Sequence, residues 1–251
     1  MLNIENLRKS FGGVSAMSGV SLDFEKGSLT AVIGPNGAGK TTFFNLVTGA
    51  FRPDSGRVVL AGQDIAGLSA PQIVRRGIGR AFQIASIFPS LSVRDSILGA
   101  VNAHRGWHAK LARRFPLRQA QAQADEVMDL VGLNSRANVL SGNLSHGDQK
   151  LLDIALALAL EPRVLLLDEP TAGMGSEERW QMIETVHALW KRKQLTLIFI
   201  EHDMDIVFKY AQTIRVLSYG TVLAEGTPDE VRRHPKVIEA YLGAHFEADA
   251  K

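Results

Sequence analysis

The 251-residue chain contains no cysteine, and this absence removes several classes of protein at once. A disulfide framework is excluded, and so is a zinc or iron–sulfur site with cysteine ligands. The chain also lacks a strong excess of either charge, with 28 lysine and arginine residues against 26 aspartate and glutamate residues. Net charge alone therefore gives no indication of a polyanionic partner.

Long apolar runs are missing as well. The most apolar stretches, LLDIALALALEP and RVLLLDEP, are interrupted by charge and proline well before the ~20 residues that a membrane-spanning helix needs. The first residues, MLNIENLRKSFGG, have neither the apolar run nor the small-residue cleavage site of a secretory signal. We therefore expect a chain that is soluble by itself, whatever it docks on.

Short apolar runs with strand character recur along the chain and alternate with helical patterns. The predicted strands are LNIENL, VSLDF, LTAVI, RVVLA, RVLLL, LTLIFI and TIRVLS, and the helical pattern EERWQMIETVHALWKR follows RVLLL. This alternation predicts an α/β fold around a buried parallel sheet. YGTVLAEG predicts a hairpin end strand, and PDEVRR and PKVIEAYL predict short closing helices.

The middle of the chain has helical spacing and no convincing strand. The stretches RQAQAQADEVMDLVGL and QKLLDIALALAL carry this spacing. We predict a helical subdomain over 85–162, inserted into a single α/β core that is formed by 1–84 and 163–251.

A basic run lies within this middle region. Between Asp95 and Asp125 there is no acidic residue, and two interpretations stay open for the basic ones. They form either a solvated face or a surface near anionic lipid headgroups. The basic residues are Arg105, Lys110, Arg113, Arg114 and Arg118.

A glycine-rich stretch, GPNGAGKTT, follows the run LTAVI and precedes the helical pattern TTFFNLVTG. It matches the phosphate-binding pattern G-x-x-x-x-G-K-[ST] in the strand–loop–helix setting that the pattern requires. Its glycines let backbone N–H groups close around phosphate oxygens, and the helix N-terminus adds a favourable dipole. We expect Lys40 to reach the β- and γ-phosphates and the Thr41 hydroxyl to coordinate Mg²⁺. The predicted nucleotide-binding residues of this loop are Gly34, Pro35, Asn36, Gly37, Ala38, Gly39, Lys40, Thr41 and Thr42.

A second motif, VLLLDEP, predicts a buried strand that ends in two acids, Asp168 and Glu169. The carboxyl end of a strand is where an α/β sheet binds its ligand. Asp168 suits the role of holding Mg²⁺ through its water shell. Glu169 is suited to polarise an attacking water as a general base. The two motifs together predict a nucleotide hydrolase.

With these motifs and several weaker ones in the correct order, the sequence resembles the ATP-binding-cassette (ABC) ATPases over nearly its whole length. The resemblance implies a P-loop NTPase (RecA-like) core with an antiparallel β subdomain and an inserted α-helical subdomain. It also implies a catalytic role for Gln83 in RAFQ, which would link the helical subdomain to the Mg²⁺ ion and the water. His202 in IFIEHD would contact the γ-phosphate, and Phe11 in RKSFGG would stack on adenine.

The stretch LSHGDQ matches the signature motif of the same family. The resemblance implies a head-to-tail dimer, in which this motif closes over the ATP held by the P-loop of a second ATPase subunit. The residues that would contact the partner's nucleotide are Ser145, His146, Gly147 and Asp148.

Three positions depart from the family pattern. His146 replaces the first glycine of the motif, and we expect it to be tolerated if its φ angle is negative. Asp148 replaces a glutamine near the partner's ribose, and a carboxylate can accept hydrogen bonds from the ribose hydroxyls. In AGMG, residues 172–175, Gly175 stands where an aspartate commonly crosses the dimer interface, so the contact there must differ.

Several longer stretches resemble, more narrowly, the ATPases of branched-chain amino acid import. They include IGPNGAGKTTFFNLVTG, SHGDQ, LDEPTAGM, IEHDM and EGTPDEV…HPKVIEAYLG. The resemblance implies permease subunits that dock on the helical subdomain, a second ATPase subunit (hetero- or homodimer), and a periplasmic solute-binding protein that acts indirectly. It places the chain at the cytoplasmic face of the inner (plasma) membrane and implies no nucleic-acid partner.

Alternatives within the wider family stay open. Importers of urea, short-chain amides and some carboxylates belong to the same subfamily. The ATPase of lipopolysaccharide export shares the YLG-type ending, although its typical signature and switch segments differ from SHGDQ and IEHDM. A nucleic-acid-engaged ABC ATPase is disfavoured, because such proteins carry two cassettes or a long coiled-coil insertion.

Overall fold

The computed structural model describes residues 1–105 and 118–242 and forms two compact units. The first unit consists of Met1–Ile73 together with the chain from Thr196 onward, and the second consists of Val74–Leu195. Lys110, Arg113 and Arg114 of the basic run lie outside the described residues. No helix in the described part of the chain is long and apolar enough to cross a membrane.

An antiparallel sheet forms one part of the first unit. Its strands are β1 (Leu2–Phe11), β2 (Val14–Phe24), β4 (Ser55–Leu60) and β5 (Gln63–Asp64), in the order β2-β1-β4-β5. The strands β1 and β2 pair along nearly their whole length, with Phe11 opposite Val14 at the turn. This sheet is the antiparallel β subdomain that the sequence predicts.

Parallel strands form the other part of the first unit. The strand β3 (Leu29–Ile33) lies between β8 (Thr196–Ile200) and β9 (Thr213–Ser218), and β10 (Thr221–Gly226) closes a hairpin with β9. Every residue of β3 and β8 is buried, as expected for aliphatic strands covered on both faces. The helices of this unit are α1 (Lys40–Val47), α7 (Met204–Tyr210), α8 (Pro228–Arg232) and the short α9 (Pro235–Val237), which continues as a π-helical turn over Ile238–Leu242.

The second unit is mainly helical. Its strands β6 (Ile78–Ala81) and β7 (Val164–Asp168) pair in parallel, and α2 (Ala70–Arg76) contains the point where the chain enters the unit. Its other helices are α3 (Val93–His104), α4 (Arg118–Val131), α5 (His146–Leu158) and α6 (Ser176–Lys193).

The predicted fold class is confirmed. Each predicted strand coincides with an observed one, and no strand occurs in the described parts of 85–162. The sequence analysis did not predict β5, β6, α2, α3 or α7, because these elements are short or have weak periodicity. The division into 1–84 with 163–251 and a subdomain over 85–162 stays a prediction.

Candidate active site

The predicted phosphate-binding loop runs from the end of β3 into α1, and its backbone requires glycine. Gly39 has a φ angle of 103°, and a Cβ atom there would lie 2.7 Å from the Ala16 carbonyl oxygen. At Gly34 a Cβ atom would lie 2.2 Å from the Leu217 carbonyl oxygen. Side chains are therefore excluded at both positions, because the loop packs closely against neighbouring backbone.

The first turn of α1 suits an anion. Gly39 is the N-cap and offers no side-chain acceptor, and no acidic residue lies in the first turn. Backbone N–H groups at such a helix start bind phosphate oxygens well. Lys40 is buried along the loop, with its ammonium donating to the carbonyl oxygens of Gly34 at 2.8 Å and Pro35 at 3.2 Å. Thr41 is exposed at the start of the helix.

Two other predicted site residues lie in the same unit. The Phe11 ring is 43% exposed and meets the Phe51 ring edge-to-face at a centroid distance of 5.2 Å. His202 follows β8 and is exposed, and its backbone N–H donates to the buried Glu201 carboxylate at 3.2 Å. Both residues therefore keep surface through which a ligand can be contacted.

The second unit contains the two predicted acids. Asp168 ends β7 and forms an ion pair with Arg80 of β6, with 2.6 Å between Asp168 Oδ2 and Arg80 Nη2. Both side chains are almost completely enclosed, at 5% and 8% exposure. Arg80 also lies over the Phe82 ring, 4.9 Å from its centroid. The Asp168 carboxylate is thus paired with the Arg80 cation where solvent has little access.

Glu169 has an unusual backbone conformation. Its φ angle is 50°, in the left-handed region that non-glycine residues seldom adopt. Its side chain accepts a hydrogen bond from the Gln83 side-chain amide, with 2.8 Å between Nε2 and Oε2. The structure therefore brings together two residues that the sequence predicts to be catalytic, although they are 86 positions apart.

Two residues of α5 approach this pair and were missed by the sequence analysis. Lys150 donates to the carbonyl oxygens of Gln83 and Glu169. Asp153 accepts from the backbone N–H groups of Phe82 and Ser86. Burial raises the pKa of Asp153, against the smaller opposing effects of these two hydrogen bonds and of Lys150. Charged residues in the otherwise apolar pattern KLLDIALALA were the signal that could have revealed them.

The predicted signature residues form the start of α5. Ser145 is the N-cap, and its hydroxyl accepts from the Asp148 backbone N–H at 3.1 Å. His146 begins the helix and has no positive φ angle, which is the condition expected for a side chain at this position. A cavity of about 430 Å³ opens beside Ser145, Gly147 and Asp148. Arg136 lies 3.5 Å from the Asp148 carboxylate in its wall.

The His146 ring lies against the 172–175 loop. A Cβ atom at Gly173 would lie 3.3 Å from His146 Cε1, and Gly173 has a φ angle of 79°. Gly175 is the N-cap of α6 without any side-chain cap. His146, a departure from the family pattern, is therefore a spatial neighbour of the loop that contains another departure, Gly175.

Comparison with known proteins gives the same assignment as the motifs. A family model described as ABC transporter matches residues 17–172, and one described as branched-chain amino acid ATP-binding cassette transporter matches residues 221–247. The chain is 38% identical to the high-affinity branched-chain amino acid transport ATP-binding protein LivG of Salmonella typhimurium, over 97% of this chain and 98% of that protein. It is 37% identical to the corresponding protein BraF of Pseudomonas aeruginosa, also over 97% and 98%.

Solved structures of ABC transporter cassettes are also similar to this chain. The ADP conformation of MJ1267, an ATP-binding cassette of an ABC transporter, has a TM-score of 0.83 and 30% identity, covering 97% of this chain and 98% of that one. A nucleotide-free cassette from an ABC transporter has the same TM-score and identity, covering 96% and 98%. Family motifs, fold and similarity over nearly the full length thus coincide. The chain belongs to the ABC transporter family, as an ATP-binding subunit that hydrolyses ATP.

Proposed function

We propose that this ATPase drives the import of branched-chain amino acids, or of a related small polar solute such as urea or an amide. The observation that carries the proposal is the match of residues 221–247 to the branched-chain amino acid cassette family. LivG and BraF, which are named for branched-chain amino acid transport, support it over nearly the whole chain. The solute itself would be selected by a periplasmic binding protein and by permease subunits.

The phosphate-binding loop and His202 would hold the nucleotide. Lys40 and His202 contact the γ-phosphate, residues 34–42 enclose the phosphates, and Phe11 stacks on adenine. The uncapped start of α1 and the exposure of the Phe11 ring support these roles. For Lys40, contact with phosphate would exchange the carbonyl oxygens of Gly34 and Pro35 for phosphate oxygens.

The side chains that we predict to bind a metal carry oxygen atoms that suit Mg²⁺. We assign to it the Thr41 hydroxyl, the Asp168 carboxylate and the Gln83 amide, which are oxygen donors of the kind that Mg²⁺ prefers. The contact of Gln83 with Glu169 uses the amide nitrogen rather than the oxygen, and the ion pair of Asp168 uses Oδ2. When bound, Mg²⁺ would neutralise charge on the phosphate oxygens.

Glu169 is the general base in this proposal. Its carboxylate would accept a proton from the water that attacks the γ-phosphate. The hydrogen bond from Gln83 fixes one carboxylate oxygen, so the orientation of the base is set before the water arrives.

The start of α5 would act on the nucleotide of a second ATPase subunit. Ser145 and His146 are exposed, and the helix N-terminus behind them favours an anion. In a head-to-tail dimer each ATP would contact the P-loop of one subunit and residues Ser145–Asp148 of the other. Hydrolysis would then release the dimer, because the two states bind ATP with different affinity.

Permease subunits would dock on the second unit. Four apolar side chains are exposed within ten residues of sequence, which is unusual for a surface without a partner. Ile84 is the most exposed, at 86%. Docking there would hold the chain at the cytoplasmic face of the inner membrane. The four residues, which we call the apolar segment, are Phe82, Ile84, Phe88 and Leu91.

Uptake by the assembled transporter tests the proposal. Membrane vesicles that contain this chain, its permeases and its binding protein should accumulate radiolabelled leucine when ATP is supplied. Glu169→Gln should abolish this uptake, since loss of a general base costs about two to four decades in rate.

Glu161→Gln is the matched control, because Glu161 is exposed and its carboxylate pairs with the exposed Arg105 guanidinium. It should transport normally. Uptake of urea in place of leucine would contradict the amino-acid assignment. Hydrolysis by Glu169→Gln near the wild-type rate would show that the base is a different residue.

A further inference from the structure

Helix α5 contains two buried, oppositely charged residues that the proposed function does not use. Lys150 is 2% exposed and Asp153 is 4% exposed, and they lie nearly one turn apart. Burying a charge is costly unless it is paired and hydrogen-bonded. The positions that these charges contact therefore indicate what they do.

Asp153 holds one segment of backbone from both ends. Its Oδ2 accepts from the Phe82 N–H at 2.7 Å, and its Oδ1 accepts from the Ser86 N–H at 3.1 Å. Gln83 lies between these two amides in the sequence. The loop that carries Gln83 is thus hydrogen-bonded to a single buried carboxylate.

Lys150 bonds to the backbones of Gln83 and Glu169, whose side chains are hydrogen-bonded to each other. Its ammonium donates to the Gln83 carbonyl oxygen and, at 3.3 Å, to the Glu169 carbonyl oxygen. The same two residues are joined a second time by the bond from Gln83 Nε2 to Glu169 Oε2. One cation therefore fixes the backbones from which both functional side chains project.

The conformation of Glu169 requires such support. Its left-handed backbone is unfavourable for a glutamate and persists only where the surroundings hold it. The Glu169 carbonyl oxygen accepts from the Ala172 backbone N–H at 3.1 Å, within the same turn. The contacts from Lys150 and Gln83 are the ones that connect Glu169 to α5 and to the loop that α5 holds.

We propose that Lys150 and Asp153 are positioning residues for hydrolysis: they fix Gln83 against Glu169 and make this arrangement follow the signature helix. The inference rests on the proposed function, in which Glu169 is the base. Since α5 begins with Ser145–Asp148, any shift of this helix on contact with a partner's nucleotide is transmitted to the base through two hydrogen-bonded side chains. A merely structural pair would stabilise the fold without acting through Gln83.

Steady-state ATP hydrolysis by the full chain provides the test. Lys150→Met removes both donations, and it should lower kcat by about ten- to a hundredfold while KM for ATP changes less than about twofold, because a misplaced catalytic group costs rate more than binding. Lys150→Arg retains the donors and should restore most of the rate. Asp153→Asn preserves volume but replaces one acceptor by a donor, and it should lower kcat several-fold in the same manner.

A buried residue of the same helix supplies the control. Leu152→Ala destabilises α5 through a cavity but removes no hydrogen bond to the Gln83 loop. It should lower the melting temperature and leave kcat close to wild type. If Leu152→Ala lowered kcat as strongly as Lys150→Met, loss of stability would explain both, and the positioning role would be refuted.

A double-mutant cycle with Gln83→Ala separates positioning from structure. If Lys150 acts through Gln83, Lys150→Met or Asp153→Asn should cost less than about threefold in kcat once Gln83 is alanine. Fully additive effects would overturn the inference, even if Lys150→Met failed to fold, because Asp153→Asn gives an independent cycle. Glu169→Gln distinguishes the two proposals: if it is inactive while Lys150→Met has normal kcat, only the positioning role is wrong.

Discussion

Arg80 and Asp168 show how the environment of a single residue restricts what it can do. Asp168 is expected to face Mg²⁺, yet its carboxylate is enclosed and paired with an arginine that is also enclosed. In such a setting each charge depends on the other, since neither has access to enough water to be solvated alone. The ion pair therefore has a structural role, in addition to the role that we propose for Asp168 in binding Mg²⁺.

Arg80→Met tests this dependence. The variant leaves the Asp168 carboxylate buried without its cation, and the free energy of unfolding should fall by about 3–5 kcal/mol. Arg94→Met is the matched control, because Arg94 forms an equally short pair with Asp125 on the surface. The loss there should stay below about 1 kcal/mol. Equal losses in chemical denaturation would show that burial does not set the contribution of the Arg80 pair.

At this scale the sequence predicted the residues that belong to motifs and missed those that support them. Lys40, Asp168 and Glu169 could be predicted as site residues because phosphate and metal chemistry restricts residue type at fixed spacing. Lys150 and Asp153 act on backbone groups far away in the sequence. Nothing in a single sequence specifies which loop a buried charge will meet.

Among the elements, helix α5 combines two proposed functions, one at its exposed start and one on its buried side. Its first turn presents Ser145 and His146 at the surface, while Lys150 and Asp153 on its following turns bond to the Gln83 loop. A change at the exposed start should therefore affect a different step from a change at the P-loop.

Ser145→Arg tests this separation. It introduces a large cation where the helix dipole and the proposed phosphate contact favour an anion, so turnover should be abolished. Binding of ATP to the subunit's own P-loop should be unchanged in a fluorescence titration. Ser92→Arg is the control, since Ser92 caps α3 in the same way, accepting from the Asp95 N–H. It should cost stability, about 1 kcal/mol, and not turnover. Normal turnover by Ser145→Arg would indicate a degenerate signature.

Predicting elements succeeded where the apolar pattern was continuous. The strands β3, β7 and β8 are fully buried and mostly apolar, and α5 has a long apolar face. Helix α3 was missed because VRDSILGAVNAH mixes polar and small residues. The spacing of Ser92 and Asp95 at its start was a capping signal that could have identified it.

At the scale of the whole molecule, we expect the apolar segment to connect hydrolysis to transport. Ile84→Glu should reduce leucine uptake by the assembled transporter while ATP hydrolysis by the isolated subunit is unchanged, because a charge opposes burial against a permease. Ile238→Glu changes another exposed isoleucine, in the C-terminal turn, and should transport normally. Unchanged uptake by Ile84→Glu would place the permease contact elsewhere.

The family was predictable from the sequence because the order of its motifs is itself information. The proposed solute was less predictable, since in the proposed function the side chains that select it would belong to other subunits.

The contact between His146 and Gly173 has a consequence for engineering. Because the imidazole ring occupies the space beside a glycine with a left-handed backbone, the signature stretch and the 172–175 loop have to be exchanged together in a chimera. Grafting a loop with a side chain at position 173 would force it against the ring, and restoring glycine at position 146 alone would leave a gap. The two stretches form one transplantable module, although His146 and Gly173 have 26 residues between them in the chain.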